Sequence, residues 1–578
     1  MTTTFSRTTE LVAAAVLFGL SVVLGVLGNA ITAGATDAER GVVLTGAIFG
    51  LGGALVFAAW LASRGWRLTQ DAASFGVLAV ALMVLVASYF AAELSSILYR
   101  ADILIWSESP FVNDIIRFRA GLPLYGTPSD LSSFNYTPGS QLLTWWLASA
   151  VGQGESVPAM RVVQLVYVVA AVLIGVRAAR RLRALSGADP SGLPWAIVWV
   201  PLLFLAATNG LTNPFAHLLH NDSLALVVCA AAFLVLVEYA AAPRVIWLVA
   251  MVLLPPLGFL VKQSTAIWCV LFGAWLLFFD RTPRVRRALF VGSGGLLLTL
   301  LLYWGGLVLW GADFRYWVIE GLGSHRVSPL RSVQHALDAW AYWAAGLWSC
   351  WMLVRGDNSR ALLGLWLVWA ALLAMETYTS GIAWMLNHMG PGSFIAIIWL
   401  SATLPSVWPS PREAPNAASW FRAGLTTLMA ILFMSGLRAI RVPVPSLSRD
   451  ADRYASAIEK EFEGLSPAAV LLDHGSWIYL RHNVVQRDRS APTGEAGYTQ
   501  TADFTGLQQR LRTQAYERIL VRELHEPEFM YDYWLWPVPS GLRDSLLARY
   551  AVVRTIEGVS GSPSVWLRPI SVLEPRVP

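Results

Sequence analysis

The feature that most constrains this chain is the recurrence of apolar runs of about 20 residues along most of its length. Such a run is long enough to cross a bilayer as an α-helix, and its continuous hydrophobicity argues against a transmembrane barrel. Charged residues make up 14% of the 578 residues, whereas soluble domains carry roughly 25%. The sequence therefore predicts an α-helical polytopic membrane protein.

The apolar runs predict about thirteen transmembrane helices. We place them at residues 10–33, 41–63, 73–98, 157–179, 191–211, 222–242, 245–261, 264–280, 288–310, 338–355, 361–378, 389–405 and 421–439. Arginine clusters in short connections set the orientation, because cytoplasmic loops are enriched in positive charge. The net charge of +5 follows from these arginines and does not indicate nucleic-acid binding. We expect a bacterial plasma-membrane protein with a cytoplasmic N-terminus.

One segment decides this topology. Residues 139–153 could form a further span, which would place the cluster Arg177–Arg183 outside. The segment is short and carries Trp145 and Trp146, which suits a helix lying in the membrane interface. The interfacial interpretation keeps every arginine cluster inside, and it makes the C-terminal region extracytoplasmic.

Two domains follow from the change of composition near residue 440. Residues 1–440 form the membrane domain, with extracytoplasmic loops at 99–156 and 311–337, and residues 441–578 form a more polar α/β domain. Strands are predicted at Ala468–Asp473, Arg518–Arg522 and Ala551–Ile556, and helices at Asp450–Glu463, Phe504–Tyr516 and Gly541–Tyr550. The three cysteines lie in apolar segments, so no disulfide framework or zinc site is readable.

The loop that begins near residue 99 carries three acids, Asp102, Glu108 and Asp114. A carboxylate near the membrane surface can accept a proton from an attacking hydroxyl. Glu108 is the first candidate for this base, because Pro110 follows it and begins a short amphipathic helix. The alternative is an ordinary solvated loop, and the choice among the three acids stays open.

Asp222 stands at the start of an apolar span, where an acid is costly unless it faces a wet cavity or a partner. It is a candidate catalytic residue, although an N-cap role for its carboxylate is compatible with the same position.

Lys262 is one of two lysines in the chain and lies inside an apolar region. Pro255–Pro256 is predicted to break the helix before it, and a broken helix at membrane depth normally lines a cavity. An ammonium group there favours an anion such as a lipid-linked phosphate, which Arg161 could share. The alternatives are that Lys262 extends to the interface and that Arg161 contacts a lipid headgroup.

Further polar residues on the same predicted side of the membrane are candidates for substrate binding. They are Tyr136, His220, Asn221, Gln263, His325, Arg326, Asn387 and His388. Loop residues of these types are often merely solvated, and they form no readable metal-ligand set.

In order and spacing, these motifs over residues 75–405 resemble the GT-C superfamily of membrane glycosyltransferases, nearest to the protein O-mannosyltransferases and the lipid A aminoarabinose transferase. The resemblance rests on an acid, a helix, a glycine and an aromatic-proline turn in the first outer loop. In this chain the acid corresponds to Glu108, the glycine to Gly121 and the aromatic-proline turn to Asn135-Tyr136-Thr137-Pro138. The arginine of the next span corresponds to Arg161. The later acidic, lysine and asparagine motifs correspond to Asn221-Asp222-Ser223, Lys262-Gln263-Ser264-Thr265 and Asn387-His388.

The resemblance implies transfer of a sugar from a polyprenyl-phosphate donor to an acceptor hydroxyl at the extracytoplasmic face, with inversion and a carboxylate general base. The acceptor would be a cell-envelope glycan, lipid or protein. Some relatives use a divalent metal, for which no ligand set is readable here. The competing functions are a transporter or flippase of the lipid-linked sugar, which needs no base, and a non-catalytic membrane scaffold of the same fold.

Overall fold

A computed structural model describes residue 86 and residues 108–129, 135–187, 193–208, 213, 215–216, 218–280, 285–324, 327–354, 358–382, 386–407, 445–472, 478, 481–482, 503–522, 524, 541–558 and 569–577. The predicted spans at 10–33, 41–63 and 421–439, and nearly all of the span at 73–98, lie outside these residues. So do the site candidates Asp102, His325 and Arg326.

Helices dominate the described residues up to 407. They are α1 (Glu108–Arg119), α2 (Gly139–Ala150), α3 (Val157–Leu185), α4 (Leu193–Ala207), α5 (Asp222–Ala241), α6 (Val245–Val261), α7 (Trp268–Phe278), α8 (Val285–Arg315), α9 (Pro329–Asp338), α10 (Trp340–Leu353), α11 (Ser359–Ser380) and α12 (Gly390–Val407). Short 3₁₀ turns at Gln263–Ile267 and Leu386–Met389 and a π-helical turn at Tyr316–Gly321 connect them. Each span predicted between residues 157 and 405 coincides with one or more of these helices.

Within the described residues, four helical stretches are long and apolar enough to cross a membrane: Val157–Leu185, Asp222–Ala241, Val285–Gly321 and Ser359–Ser380. Val198–Ala207, Val245–Val261 and Gln263–Phe278 are shorter apolar helices. Buried tryptophans such as Trp199, Trp369 and Trp399 pack in the core between helices. Helix α8 instead exposes a row of leucines and Trp304, as a lipid-facing surface does. The chain is an integral membrane protein.

The predicted break at Pro255–Pro256 is wrong. Helix α6 continues through both prolines and ends at Val261, and Lys262 then takes an extended conformation with φ −155° and ψ 125°. A proline pair removes two backbone donors, a cost that membrane helices tolerate where neighbouring helices pack closely. Both prolines are buried here. The helix therefore breaks six residues later than expected, directly at the lysine.

The connection predicted as a loop at 311–337 is largely helical. Helix α8 kinks at Gly311, whose φ of 68° and ψ of −150° suit glycine, and the π-helical turn and α9 follow. The segment at 139–153 contains the 12-residue helix α2. At 1.5 Å per residue, α2 is about 18 Å long, shorter than the bilayer core of about 30 Å.

The described C-terminal residues contain helices and a small sheet. Helices α13 (Pro445–Lys460), α14 (Thr505–Arg512) and α15 (Leu542–Arg549) accompany strands β1 (Val470–Leu472), β2 (Arg518–Arg522), β3 (Tyr550–Ile556) and β4 (Ile570–Pro575). The strand order is β1-β2-β4-β3, with β1 parallel to β2 and the other pairs antiparallel. Three strands and three helices were predicted within a few residues of their observed positions, and β4 was not predicted. That residues 441–578 form a separate extracytoplasmic domain stays a prediction.

This C-terminal part touches the first loop of the membrane part. The backbone N–H of Asp503 donates to the Pro128 carbonyl at 3.3 Å. One apolar cluster joins Tyr125 and Trp317 with residues of α14 and α15 such as Leu511 and Leu546. The loop that follows α1 is therefore packed between the helices and the sheet.

Candidate functional site

A cavity of about 340 Å³ lies where the start of α5, the turn after α6, the end of α11 and the start of α12 meet. Its lining combines polar side chains with an apolar wall that includes Ala206, Leu226 and Leu372. Most ligand sites have this composition, an apolar pocket with a few convergent polar groups. The volume is near the lower end of their usual range, roughly 300–1,000 Å³.

Asp222 is at the centre of the polar contacts. Lys262 Nζ donates to its Oδ1 at 2.6 Å, and Asn387 Nδ2 donates to its Oδ2 at 2.9 Å. The Nδ1 atom of His220 lies 3.0 Å from the same Oδ2. Asp222 is also the first residue of α5, where the positive end of the helix dipole favours a carboxylate. The pair Asp222–Lys262 joins residues 40 positions apart in the chain.

The end of α6 presents Lys262 to this carboxylate. Thr265 Oγ1 donates to the Lys262 carbonyl at 2.9 Å and closes the turn. A Cβ atom on Gly258 would lie only 2.4 Å from Thr265 Oγ1, so the turn packs against the helix because residue 258 is glycine. The Lys262 ammonium also lies 5.5 Å from the centre of the Tyr136 ring, within the range of a cation–π contact. Its side chain keeps 9% of its surface exposed, and it lines the cavity.

Two amides hold the backbone around this pair. Asn221 Nδ2 donates to the Val261 carbonyl at 2.6 Å and joins α5 to the end of α6. Gln263 Nε2 donates to the carbonyls of Asn135 and Val318 at 2.9 and 3.3 Å. The amide groups thus fix the relative positions of the first loop, the lysine turn and the π-helical turn.

The structure therefore brings together many of the residues that the sequence singled out. Tyr136, Asp222, Lys262, Gln263, Asn387 and His388 line the cavity. His220 and Asn221 are buried beside them, and the ring of Tyr136 meets His220 edge to face at 5.5 Å between centroids. In the described part of the chain, no three His, Cys, Asp or Glu side chains are grouped so that they could hold a metal ion.

Glu108 and Arg161 form a second ion pair, away from the cavity lining. Arg161 Nε donates to Glu108 Oε1 at 2.9 Å and its terminal nitrogen donates to Oε2 at 2.8 Å, a bidentate geometry. The backbone N–H of Leu219 donates to Oε1 at 3.1 Å. The side chains are 0% and 3% exposed. Both oxygens of Glu108 are thus engaged, and neither side chain lines the cavity. The roles of base and phosphate ligand for this pair stay predictions.

Asp114, another predicted acid, is a buried residue of α1, and its side chain contacts α2. Gln141 Nε2 donates to its Oδ2 at 3.1 Å. Nearby, the Tyr125 hydroxyl donates to the Tyr136 carbonyl at 2.8 Å. Burial, and secondarily the charge of Asp114, raise the pKa of Tyr125 well above its usual value. Tyr125 thus stays protonated and holds the backbone of the cavity residue Tyr136.

Sequence reasoning missed one acid of the cavity, Glu376 on α11. It is 6% exposed, and its Oε2 accepts the backbone N–H of Gly392 at 2.8 Å. A signal was present, because Glu376 is the single acid within the predicted span at 361–378. An ionisable residue inside a span is a functional candidate by default.

Of the comparisons with known proteins, the one with solved structures shows a similar fold. No family model and no curated sequence matches the chain. Among solved structures, ArnT from Cupriavidus metallidurans in the apo state matches with a TM-score of 0.50, 16% identity, and coverage of 87% of this chain and 98% of that chain. ArnT bound to undecaprenyl phosphate gives a TM-score of 0.49 with 15% identity and coverage of 87% and 98%.

The oligosaccharyltransferase AglB from Archaeoglobus fulgidus, in complex with an inhibitory peptide and a dolichol-phosphate, gives a TM-score of 0.47 with 12% identity. The match covers 81% of this chain and 72% of that chain. ArnT and AglB are both GT-C membrane glycosyltransferases. The resemblance that the sequence motifs predicted is confirmed at the level of the fold, which this chain shares with ArnT in the apo state.

Proposed function

We propose that this protein is a glycosyltransferase that moves a sugar from a polyprenyl-phosphate donor to an acceptor hydroxyl at the extracytoplasmic face. The observation that carries the proposal is the Asp222–Lys262 pair, a carboxylate and an ammonium in contact at the wall of a cavity between apolar helices. A GT-C-type fold frames this pair, and the family resemblance of the sequence implies the lipid-linked donor.

Lys262 is the ligand for the donor phosphate. Its ammonium lies where a helix ends beside the cavity, and the described contacts balance its charge with one carboxylate. As the bond from the sugar to the phosphate breaks, negative charge grows on the phosphate oxygen. A fixed cation at that point stabilises the transition state more than the ground state.

Asp222 is the general base. The acceptor oxygen attacks the anomeric carbon of the sugar. The bond between that carbon and the phosphate oxygen breaks, and its electron pair leaves with the phosphate. The proton of the acceptor hydroxyl goes to the Asp222 carboxylate. Attack from the side opposite the leaving group inverts the anomeric carbon. When Lys262 turns to the phosphate, Asp222 loses its closest cation and becomes a better proton acceptor. Asn387 and His220 keep the carboxylate oriented during this exchange.

Glu108 and Arg161 hold the segment that carries these groups. Glu108 binds the backbone of Leu219, one residue before His220 and three before Asp222. The pair thus fixes the approach to α5 from a position outside the cavity lining. We assign it to positioning.

The test is a transfer assay on the purified chain in lipid, with a panel of radiolabelled polyprenyl-phosphate sugars and a cell-envelope fraction as acceptor. Wild type should move label into the acceptor, whereas Asp222→Asn and Lys262→Met should not. Glu463→Gln, which changes an exposed C-terminal acid, is the control and should retain transfer. Full activity of Asp222→Asn or Lys262→Met would refute the assigned roles. Wild-type movement of the donor across liposomes without transfer would favour the flippase.

A further inference from the structure

The cavity contains a second carboxylate that the proposed reaction does not use. Among the described residues that line it, the acids are Asp222 and Glu376. Asp222 has described contacts with Lys262, Asn387 and His220. For Glu376 the described donor is the backbone of Gly392. A carboxylate can accept about four hydrogen bonds, so Glu376 retains acceptor capacity toward the cavity.

The two acids reach the cavity from different helices. One face of α5 lines the cavity with Asp222, Leu226 and Cys229. Glu376 lies about one turn before the end of α11 and lines the same cavity. A ligand bound at Asp222 and Lys262 would therefore share this space with the Glu376 side chain.

The carboxylate is held in position by its neighbours. Gly392 N–H donates to Glu376 Oε2, and the indole N–H of Trp369 donates to the Gly392 carbonyl at 2.8 Å. A Cβ atom on residue 392 would lie 2.5 Å from that same Oε2. Glycine at 392 therefore allows the carboxylate to lie directly against the backbone of α12. A buried carboxyl group fixed in this way is suited to recognising a polar group that enters an otherwise apolar space.

We propose, on the basis of the proposed function, that Glu376 is a specificity-determining residue that accepts hydrogen bonds from hydroxyl groups of a single donor sugar. With the phosphate at Lys262, the sugar occupies the cavity, and hydroxyl groups remote from its anomeric carbon meet Glu376. The cavity of about 340 Å³ accommodates one sugar with its phosphate and is small for an oligosaccharide.

Binding measurements separate this inference from the proposed function. The full chain in nanodiscs would be titrated with undecaprenyl phosphate alone and with undecaprenyl-phosphate glucose, galactose, mannose and arabinose, followed by native mass spectrometry. Wild type should bind at least one sugar-bearing lipid more tightly than the bare lipid. In Glu376→Gln the dissociation constant of that lipid should rise about tenfold, because one carboxyl oxygen is replaced by an NH₂ group that cannot accept a hydrogen bond from a sugar hydroxyl. Its dissociation constant for bare undecaprenyl phosphate should change less than twofold.

Glu376→Gln also tests the alternative that Glu376 only holds α12 in place. Its amide oxygen can still accept the Gly392 N–H, so a carboxylate that merely holds α12 would show no selective loss of sugar binding. Glu376→Asp, which withdraws the carboxyl group from the cavity by one methylene group, should give the same selective loss. Equal loss for the bare and sugar-bearing lipids, or no loss in Glu376→Gln, would overturn the inference. So would a wild type that prefers no sugar-bearing lipid over the bare one.

Lys262→Met reports on the proposed function in the same titrations. It should weaken binding of the bare and the sugar-bearing lipids alike. If wild type does not bind undecaprenyl phosphate, or if Lys262→Met binds it equally well, the proposed function itself fails. If that dependence holds and the Glu376 variants behave as wild type, the role of Glu376 alone is refuted.

Discussion

Two buried ion pairs lie near the start of α5, and they differ in what surrounds them. Asp222–Lys262 lines the cavity, and its side chains are 6% and 9% exposed. Glu108–Arg161 is 0% and 3% exposed, bidentate, and bonded to the backbone of Leu219. Both pairs join distant parts of the chain. The first pair faces a space that a substrate could enter, whereas both oxygens of Glu108 are bonded to Arg161. We therefore proposed a chemical role for the first pair and a positioning role for the second.

The largest effect should come from the cavity pair. Removing the base in Asp222→Asn should lower the transfer rate by roughly 10²–10⁴-fold, the usual range for a general base. Replacing both members in Asp222→Leu/Lys262→Leu removes the charges together, so the protein should remain folded yet inactive. The radiolabel transfer assay and thermal unfolding of the same preparations check this. Substantial activity in the double variant would contradict the catalytic role proposed for Asp222 and Lys262.

In the Glu108–Arg161 pair, a substitution should lower stability first and activity only as a consequence. Glu108→Gln leaves Arg161 buried without its carboxylate, and breaking a buried pair costs roughly 3–5 kcal/mol of stability. Replacing both side chains by apolar ones of similar volume, Glu108→Leu/Arg161→Met, should recover most of that stability. Thermal unfolding in lipid measures the loss and the recovery.

Transfer activity in the same variants sharpens the comparison. The double apolar variant should regain activity in parallel with stability, because the charges of Glu108 and Arg161 are not needed for the reaction. Recovered stability without any activity would return Glu108 to the catalytic role that the sequence first indicated.

A smaller effect should follow from Gly139, which lies at the contact between α2 and the end of α6. A Cβ atom there would lie 2.4 Å from the Leu260 carbonyl oxygen, two residues before Lys262. Gly139→Ala should destabilise by about 1–3 kcal/mol, as overpacking does, and should weaken donor binding by moving the lysine turn. Gly305→Ala is the matched control, since nothing lies within 4 Å of its Cβ position. Equal donor affinity and stability in both variants would contradict the proposed coupling.

The smallest effect is expected from a third ion pair, Arg119–Glu155, whose arginine is on the same helix as Glu108. Its side chains are 27% and 77% exposed, and exposed pairs contribute about 0–1 kcal/mol. Arg119→Gln should therefore change the unfolding temperature little and leave transfer unchanged. A large loss would show that burial is not what separates the three pairs.

Much of the site was predictable because single residues stood out against an apolar background. Asp222 and Lys262 are charges at the edges of apolar runs, and placing them there requires a partner or a cavity. The direct bond between them confirms that each has a partner. The exact point where α6 ends was not predictable from Pro255–Pro256, because packing around the prolines outweighed their tendency to end a helix.

The choice among acids could not be made from local pattern. Glu108, Asp114 and Asp222 all read as candidate bases, and the sequence contains no local sign that Arg161 would occupy both oxygens of Glu108 from 53 residues away. Glu376 was passed over although it is the single acid of its span. Its relation to the cavity depends on Gly392, 16 residues further on.

The sequence by itself determined the environment: apolar runs long enough for helices in a membrane, a mixed C-terminal region, and a few charges that needed an explanation. Hydrophobicity and helix propensity act over neighbouring residues, so these properties can be read along the chain. Only the tertiary structure decided which charges meet one another and which face the cavity. Those outcomes depend on contacts between helices that are far apart in sequence, which no local pattern of residues encodes.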